Sequence, residues 1–393
     1  MSRGKKLLAL ALPPGQAFVE AWRRAWDEGH AVLPVDPRLP AAQLRRLLDR
    51  LRPHELTDAS GTRVLGGGAP LDPRTDLVVA TSGSTGARKG AELSRAAVEW
   101  SAAASLARLD AAGEPWLCCL PLDHLAGLQV VVRARLSGAP LLLHERFDVG
   151  RVAAEGPGAF VSLVPTMLTR LLDAGADVAA FRGILLGGAA ADPALLRRAR
   201  EAGARVVTTY GMTETAGGCV YDGVPLDGVD ARVGQDGRIG LRGPMLFHVY
   251  RLAPGLSAAA LAGGWFTTAD RGAWRDGRLV VLGRADDVVV TGGHNVSLDE
   301  VADLVATHPA VAEAAAFALP DSEWGALVAV AVVPREPAAP PTLAQVRAHV
   351  RARAAAHAAP KRLLIVTALP RGALGKVDRE ALRALAASDD AAR

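Results

Sequence analysis

From residue 6 to about residue 210 the chain repeats one local pattern: short apolar runs alternate with stretches whose apolar residues recur at helical spacing. "AVLPV" and "DLVVA" read as strands, with the amphipathic helix "AAQLRRLLDRLRP" between them. Further along, "WLCCLPL", "PLLLHE", "AFVSLVP", "FRGILLGG" and "RVVTTYG" read as strands. The helices "GLQVVVRARLSGA", "TMLTRLLDAG" and "ALLRRAREAG" fall among them. That rhythm commits the chain to layered α/β folding. From about residue 232 it gives way to "GRIGLRGPMLFHVY" and "GRLVVLGR", short strands with turn glycines that predict a small β-rich subdomain. After residue 284 the pattern starts afresh: helix "LDEVADLVATHP", strands "VAEAAAFALP" and "GALVAVAVVP", a proline-rich loop, and helix "LAQVRAHVRARAAAHA". This is an α+β unit of about a hundred residues. Two domains follow, a large N-terminal one at 1–284 and a small C-terminal one at 285–393, the latter closing on a frayed tail, "ASDDAAR".

A chain of 393 residues, half of them hydrophobic and 22% charged, buries a large core and is not a disordered polymer. No apolar run approaches a membrane span. "KKLLALALPPG" imitates a signal peptide, but its apolar core is short and no small-residue cleavage site follows, so it reads as a strand of a cytoplasmic protein. Cys118, Cys119 and Cys219 form no metal or redox spacing. The net charge of +4, with no basic run interleaved with aromatics, does not indicate nucleic-acid binding. The sequence neither requires nor forbids a homo-oligomer.

The stretch "TSGSTGARKG", residues 81–90, leaves the end of a predicted strand. Its glycines and hydroxyls, Thr81, Ser82, Gly83, Ser84, Thr85 and Gly86, suit a polyphosphate, because backbone N–H groups turn inward and hydroxyls add donors. It is not a Walker loop: Arg88 stands where the second glycine belongs, and Lys89 is followed by Gly90. A flexible linker is the plain alternative, but a linker rarely follows a buried strand and closes on charge. Of 45 basic residues only five are lysines, so Lys89 and Lys376, both inside glycine-containing motifs, stand out. A compact ammonium approaches a phosphate or carboxylate where a guanidinium is too broad.

Six segments in order, from residue 81 to residue 379, resemble the motifs of the adenylate-forming superfamily, which holds acyl-CoA synthetases, peptide-synthetase adenylation domains and luciferases. They are "TSGSTGARKG", "LPLDHLAGL", "YGMTET", "GWFTTAD", "GRADD" and "LPRGALGKVDR". The resemblance covers essentially the whole chain, and it implies ATP, Mg²⁺ and coenzyme A as ligands of an enzyme that activates a small carboxylic acid. It implies a mobile C-terminal domain, with Asp286 as hinge. It implies that the first loop and Lys89 hold phosphates, that Thr213 donates to the α-phosphate, and that Glu214 holds Mg²⁺. Asp270 and Arg284 serve the ribose, His124 gates the site, and Lys376 bridges the two reacting anions. Further nucleotide contacts fall on Gly187, Gly188, Ala189, Thr209, Tyr210, Gly211 and Met212, with Gly188 and Gly211 also at the acid.

The chemistry explains these residue types: a carboxylate must meet the α-phosphate of ATP, and a cation between two anions offsets their repulsion. "YGMTETAGGCVYDGVPLDGV" and "PLDHLAGLQVVVRARLSGA" are most similar to the 2-succinylbenzoate–CoA ligases of menaquinone biosynthesis, especially their short actinobacterial type. Succinylbenzoate has a second carboxylate that must be recognised without reacting, which points to Arg133 in an otherwise apolar helix and to Ser162 on the neighbouring strand. The plain alternative for Arg133 is a side chain reaching out to solvent. Asp123 replaces the residue usual before the gating histidine, and Asp299 and Glu300 have no assigned role. Other readings are a ligase for another aryl or alkyl carboxylate, an amine acceptor in place of CoA, and a relative that binds adenylate without catalysis.

Overall fold

The computed structural model describes residues 4–81, 89–284, 288–291, 294–321, 325–354, 356–372 and 376–391. Chain contacts divide it into two units, one of residues 1–234, 239–268 and 274–280, the other of 235–238, 269–273 and 281–393.

In the first unit the apolar runs become strands because both of their faces are covered. Among the described residues two seven-stranded sheets form. The first runs in the order Val249–Tyr250, Lys89–Leu93, Leu77–Thr81, Ala31–Pro34, Leu7–Leu10, Glu55–Asp58 and Gly61–Val64. "KKLLALALPPG" does supply a strand, and Leu7, Ala9 and Leu10 in it are buried. The second sheet runs Val224–Pro225, Gly217–Tyr221, Val206–Met212, Gly183–Leu186, Phe160–Leu163, Trp116–Cys118 and Leu141–Leu143. From Val206–Met212 to Leu141–Leu143 every neighbour is parallel, whereas Gly217–Tyr221 returns antiparallel. Parallel strands covered on both faces read as continuous apolar runs, as "ILL" and "FVSL" do.

Helix Arg95–Leu109 starts at Ser94, whose hydroxyl accepts from Ala97 N at 3.1 Å. Helix Leu125–Ser137 is buried almost all round, from Leu125 and from Gly127 through Ala134. Such a helix has no polar face to offer water, so its two buried polar side chains, Gln129 and Arg133, need internal partners. Gly127 is required there, because a Cβ would lie 2.3 Å from Pro121 O.

One buried charge network ties distant segments of this unit. The Arg251 guanidinium donates to Leu51 O at 2.6 Å, to Ala69 O at 2.8 Å and to Glu92 Oε1 at 3.1 Å. Thr75, fully buried, donates its hydroxyl to the other oxygen of Glu92 and lies 2.9 Å from His248 Nε2. Thr75→Val keeps the shape and removes a donor from a buried carboxylate, so it should destabilise this unit by roughly 1–3 kcal/mol. A urea midpoint equal to that of the wild type would show that Glu92 does not depend on that hydroxyl.

In the second unit Val311–Asp321 and Gly325–Pro334 form an antiparallel hairpin, and Arg362–Ile365 joins in parallel. Alternation along Gly325–Pro334 serves two cores. Val328, Val330 and Val332 meet helices Leu298–Ala306 and Leu343–Arg351, while Ala329 and Ala331 meet Leu382 and Ala386 of helix Arg379–Ala391. Two expectations change here. The helix expected over "LAQVRAHVRARAAAHA" stops at Arg351, with Ala352 as its C-cap, although Ala354 still packs on the core of Val346 and Val350. The tail expected to fray is helical through Ala391, anchored by buried Leu382 and Ala386 and by the Arg362 guanidinium donating to Ala386 O at 2.8 Å. Among the described residues no helix is long and apolar enough to cross a membrane.

Candidate active site

The parallel strands of the second sheet end on one edge, where open α/β sheets bind ligands. His124 follows Trp116–Cys118 and stands as N-cap of helix Leu125–Ser137. Ser162 lies in Phe160–Leu163, and Gly187, Gly188 and Ala189 follow Gly183–Leu186. Thr209 through Met212 complete Val206–Met212, with Thr213 and Glu214 in the turn beyond. The sheet thus brings together most of the expected first-unit residues. Gly211 is dictated by backbone: a Cβ there would meet Gly217 O at 2.1 Å. Gly188 holds φ +79, a conformation that L side chains resist.

Thr215 sets the turn. Met212 N donates to its hydroxyl oxygen at 2.9 Å and the hydroxyl donates to Gly217 O at 2.7 Å, leaving Thr213 and Glu214 half-buried beside the strand end. The Glu214 carboxylate accepts the Tyr250 hydroxyl at 2.8 Å, and Lys89 Nζ lies over the Tyr250 ring at 5.3 Å from its centroid. Lys89 begins its strand opposite Thr81, so the two frame the phosphate-loop segment. Ser82, Gly83, Ser84, Thr85 and Gly86 themselves lie outside the described residues, as does Asp286. Among the described residues no three His, Cys, Asp or Glu side chains gather to cage a metal. A single carboxylate suits Mg²⁺, which keeps waters and commonly binds one or two carboxylates plus substrate phosphates.

Arg133 does not reach solvent; only 5% of it is exposed, whereas Arg135 is exposed. Its guanidinium donates to Ser105 Oγ at 3.2 Å and to Ser162 Oγ at 3.1 Å, and lies over the Trp116 ring at 4.4 Å. Nε has no partner among the described residues, and the titratable groups that face the guanidinium there are Tyr221 and Cys118, with no carboxylate among them. Burial pulls its pKa below the ordinary arginine value. Ser105 also meets the Tyr221 hydroxyl at 2.8 Å. Burial pushes the neighbouring Cys118 thiol up to about 12, which excludes it as a nucleophile at neutral pH. His124 Nε2 lies 3.6 Å from Asp123 Oδ2, so Asp123 sets a carboxylate beside this histidine.

In the second unit Lys376 is exposed and stands beside a backbone bridge. Arg371 bridges Val377, Gly372 N donates to Lys376 O at 2.8 Å, and Asp378 N donates to Pro370 O at 2.8 Å. Asp378 then starts helix Arg379–Ala391 by accepting from Ala381 N at 3.0 Å. Both flanks are fixed: Arg371 pairs with Glu313, and Arg379 pairs with Asp299 while its Nε donates to Ala316 O at 2.8 Å. Asp299 therefore has a partner on the far side of the lysine motif, and Glu300 N donates to the helix cap Ser297. Asp270 is half-buried in strand Trp265–Arg275, and Arg284 ends strand Arg278–Arg284.

Sequence reasoning missed Tyr250, Trp116, Ser105 and Tyr221. Each is far along the chain from what it touches, and none belongs to a motif quoted above for its side chain.

The family model for the AMP-binding enzymes matches residues 69–249, and the model for the AMP-binding enzyme C-terminal domain matches residues 300–376. A probable 2-succinylbenzoate–CoA ligase of Mycobacterium tuberculosis is 43% identical over 331 residues, which is 80% of this chain and 85% of that protein. The chain belongs to the AMP-binding, adenylate-forming enzymes. Within them it is an AMP-forming acid–CoA ligase. An indoleacetate–CoA ligase of Aromatoleum aromaticum is 33% identical over 352 residues, 81% of this chain and 68% of that protein. Among solved structures, o-succinylbenzoate CoA synthetase from Bacillus subtilis in complex with its acyl-adenylate intermediate superposes with a TM-score of 0.86 at 26% identity. That match covers 97% of this chain and 88% of the synthetase, which has also been solved with ATP and a magnesium ion. The fold class expected of this family holds: a large α/β AMP-binding part with a β subdomain and a small C-terminal part.

Proposed function

We propose that the chain is a cytoplasmic 2-succinylbenzoate–CoA ligase of menaquinone biosynthesis. The observation that carries this reading is Arg133, a buried guanidinium held by two serines and an indole face, with no carboxylate against it among the described residues. A buried charge with only neutral partners is costly to keep, and an anion arriving with the substrate removes that cost. The named activity of the mycobacterial relative agrees.

In this reading the aliphatic carboxylate attacks the α-phosphorus of ATP, the bond to pyrophosphate breaks, and an acyl-adenylate remains. Lys376 stands between the carboxylate and the α-phosphate, Thr213 donates to the latter, and the loop from Thr81 through Gly86, with Lys89, holds the departing phosphates. Glu214 would hold Mg²⁺, which screens polyphosphate charge. Asp270 accepts from the ribose hydroxyls beside Arg284, and the stretches Gly187–Ala189 and Thr209–Met212 border the nucleotide. In this reading the larger domain runs through residue 284 and the smaller one begins at residue 285. Rotation of the smaller one about Asp286 then withdraws Lys376 and, past His124, admits CoA. The thiol attacks the acyl carbon, AMP leaves, and the thiol proton goes to solvent. Gly188, Gly211, Arg133 and Ser162 surround the acid.

The indoleacetate–CoA ligase relative supports a second reading, an aryl acid with one carboxylate. Pyrophosphate release measured over a panel of acids, with and without CoA, separates the two. The expected result is strong release with succinylbenzoate, weak release with indoleacetate, and CoA consumed in step. Preference for acids with one carboxylate would overturn the substrate, and release without thioester formation would overturn the acceptor.

A further inference from the structure

We infer that Tyr250 is a positioning residue that sets the metal-binding carboxylate and the phosphate-loop lysine against each other. Its phenol donates to Glu214 Oε1 at 2.8 Å, and its ring face carries Lys89 Nζ at 5.3 Å. One side chain therefore touches both a carboxylate and a cation that the proposed function assigns to the ATP phosphates and their metal, and the inference rests on that assignment.

The backbone holds Tyr250 rigidly enough for this task. Val249–Tyr250 is the edge strand beside Lys89–Leu93, with Tyr250 opposite Ala91. Tyr250 N donates to Ser257 Oγ at 2.8 Å, and Arg251 N donates to Gly90 O at 2.7 Å. Phe247 N donates to Glu214 O at 2.8 Å, tying the same segment to the turn that carries Glu214. The ring packs 4.6 Å from that of Phe247, and the residue is 5% exposed. A phenol keeps its proton at neutral pH, so the hydroxyl is the donor and the carboxylate the acceptor.

A carboxylate that must bind a metal has two oxygens and several rotamers. A donor on Oε1 fixes the rotamer in which the carboxylate would meet the metal, as outer-shell hydrogen bonds orient ligating groups elsewhere. The ring face meanwhile holds the Lys89 ammonium through a cation–π contact. Tyr250 thus orients a carboxylate and positions an ammonium through one side chain.

The test compares Tyr250→Phe, Tyr250→Leu and Glu214→Gln in acid-dependent pyrophosphate release, titrating MgCl₂ at fixed ATP. Tyr250→Phe should raise the Mg²⁺ concentration for half-maximal rate roughly tenfold, the scale of one hydrogen bond to a charged group. The KM for the acid should stay near wild type, and the thermal midpoint should fall by no more than the loss of one hydrogen bond costs. Tyr250→Leu should add a several-fold rise in the KM for ATP, because Lys89 loses its platform. A purely structural tyrosine predicts otherwise: a midpoint lowered further and equal losses for acid, ATP and metal, and that pattern would overturn the inference. If Glu214→Gln shifts the Mg²⁺ requirement and Tyr250→Phe does not, the inference fails while the site reading stands. If Glu214→Gln leaves the requirement unchanged, the metal role of Glu214 fails and takes the inference with it.

Discussion

Lys376→Ala is expected to slow acid-dependent pyrophosphate release by roughly 10²–10³, the scale of losing one preorganised electrostatic donor. Transfer of a supplied acyl-adenylate to CoA should remain near the wild-type rate. The asymmetry follows from charge. Adenylation brings a carboxylate to a phosphate and needs a cation between them, whereas thioester formation brings a neutral or singly charged thiol to an activated carbonyl. The local structure sharpens the expectation. Lys376 sits next to the Arg371–Val377 bridge, with Glu313 holding Arg371 and Asp299 holding Arg379. Alanine changes none of these contacts, so the fold of the second unit should survive and the loss should be chemical. Single-turnover assays of the two half-reactions, with circular dichroism as a control, measure the split. Equal losses in both half-reactions would sink the assignment of Lys376 to the first step alone.

The elements that the sequence revealed were those whose neighbours cover both faces. "AFVSLVP" and "FRGILLGG" could be read as buried strands because adjacent parallel strands and their helices call for near-continuous apolar residues there. Motif residues with strict backbone demands were equally plain: Gly211 and Gly188 are glycines because of a close carbonyl and a positive φ. Side-chain constellations across long chain separations were not legible. Tyr250 reaches Glu214 from 36 residues away, Tyr221 meets Ser105 across 116, and Arg251 meets Glu92 across 159. No local period encodes such pairs; they exist only once the sheets are assembled. The C-terminal tail misled for a related reason. Its acidic, alanine-rich composition suggests fraying, but Leu382 and Ala386 fall four residues apart on a face that the hairpin alanines leave room to cover.

Arg133→Ala should weaken kcat/KM for succinylbenzoate by roughly 2–5 kcal/mol, the range for removing one partner of a buried charge pair. The corresponding analogue without the ring carboxylate should lose far less. The reasoning begins with what holds the guanidinium when substrate is away. Ser105, Ser162 and the Trp116 ring satisfy part of it, and Nε has no partner among the described residues. Neutral hydroxyls and a ring face stabilise a cation less than a carboxylate does, so an incoming anion gains more here than in water, where it already has a full hydration shell. A structural role predicts a different pattern. If Arg133 only braces the helix against the strand through Ser162, its loss perturbs the cleft for both acids alike. The measurement is therefore a cycle of two proteins and two substrates, in which the coupling energy isolates the contact between guanidinium and ring carboxylate. Arg133→Lys refines it: an ammonium keeps the charge but cannot span both serines, so it should recover only part of the coupling. Zero coupling would remove Arg133 from substrate recognition, and with it the main structural reason for assigning this acid to the chain.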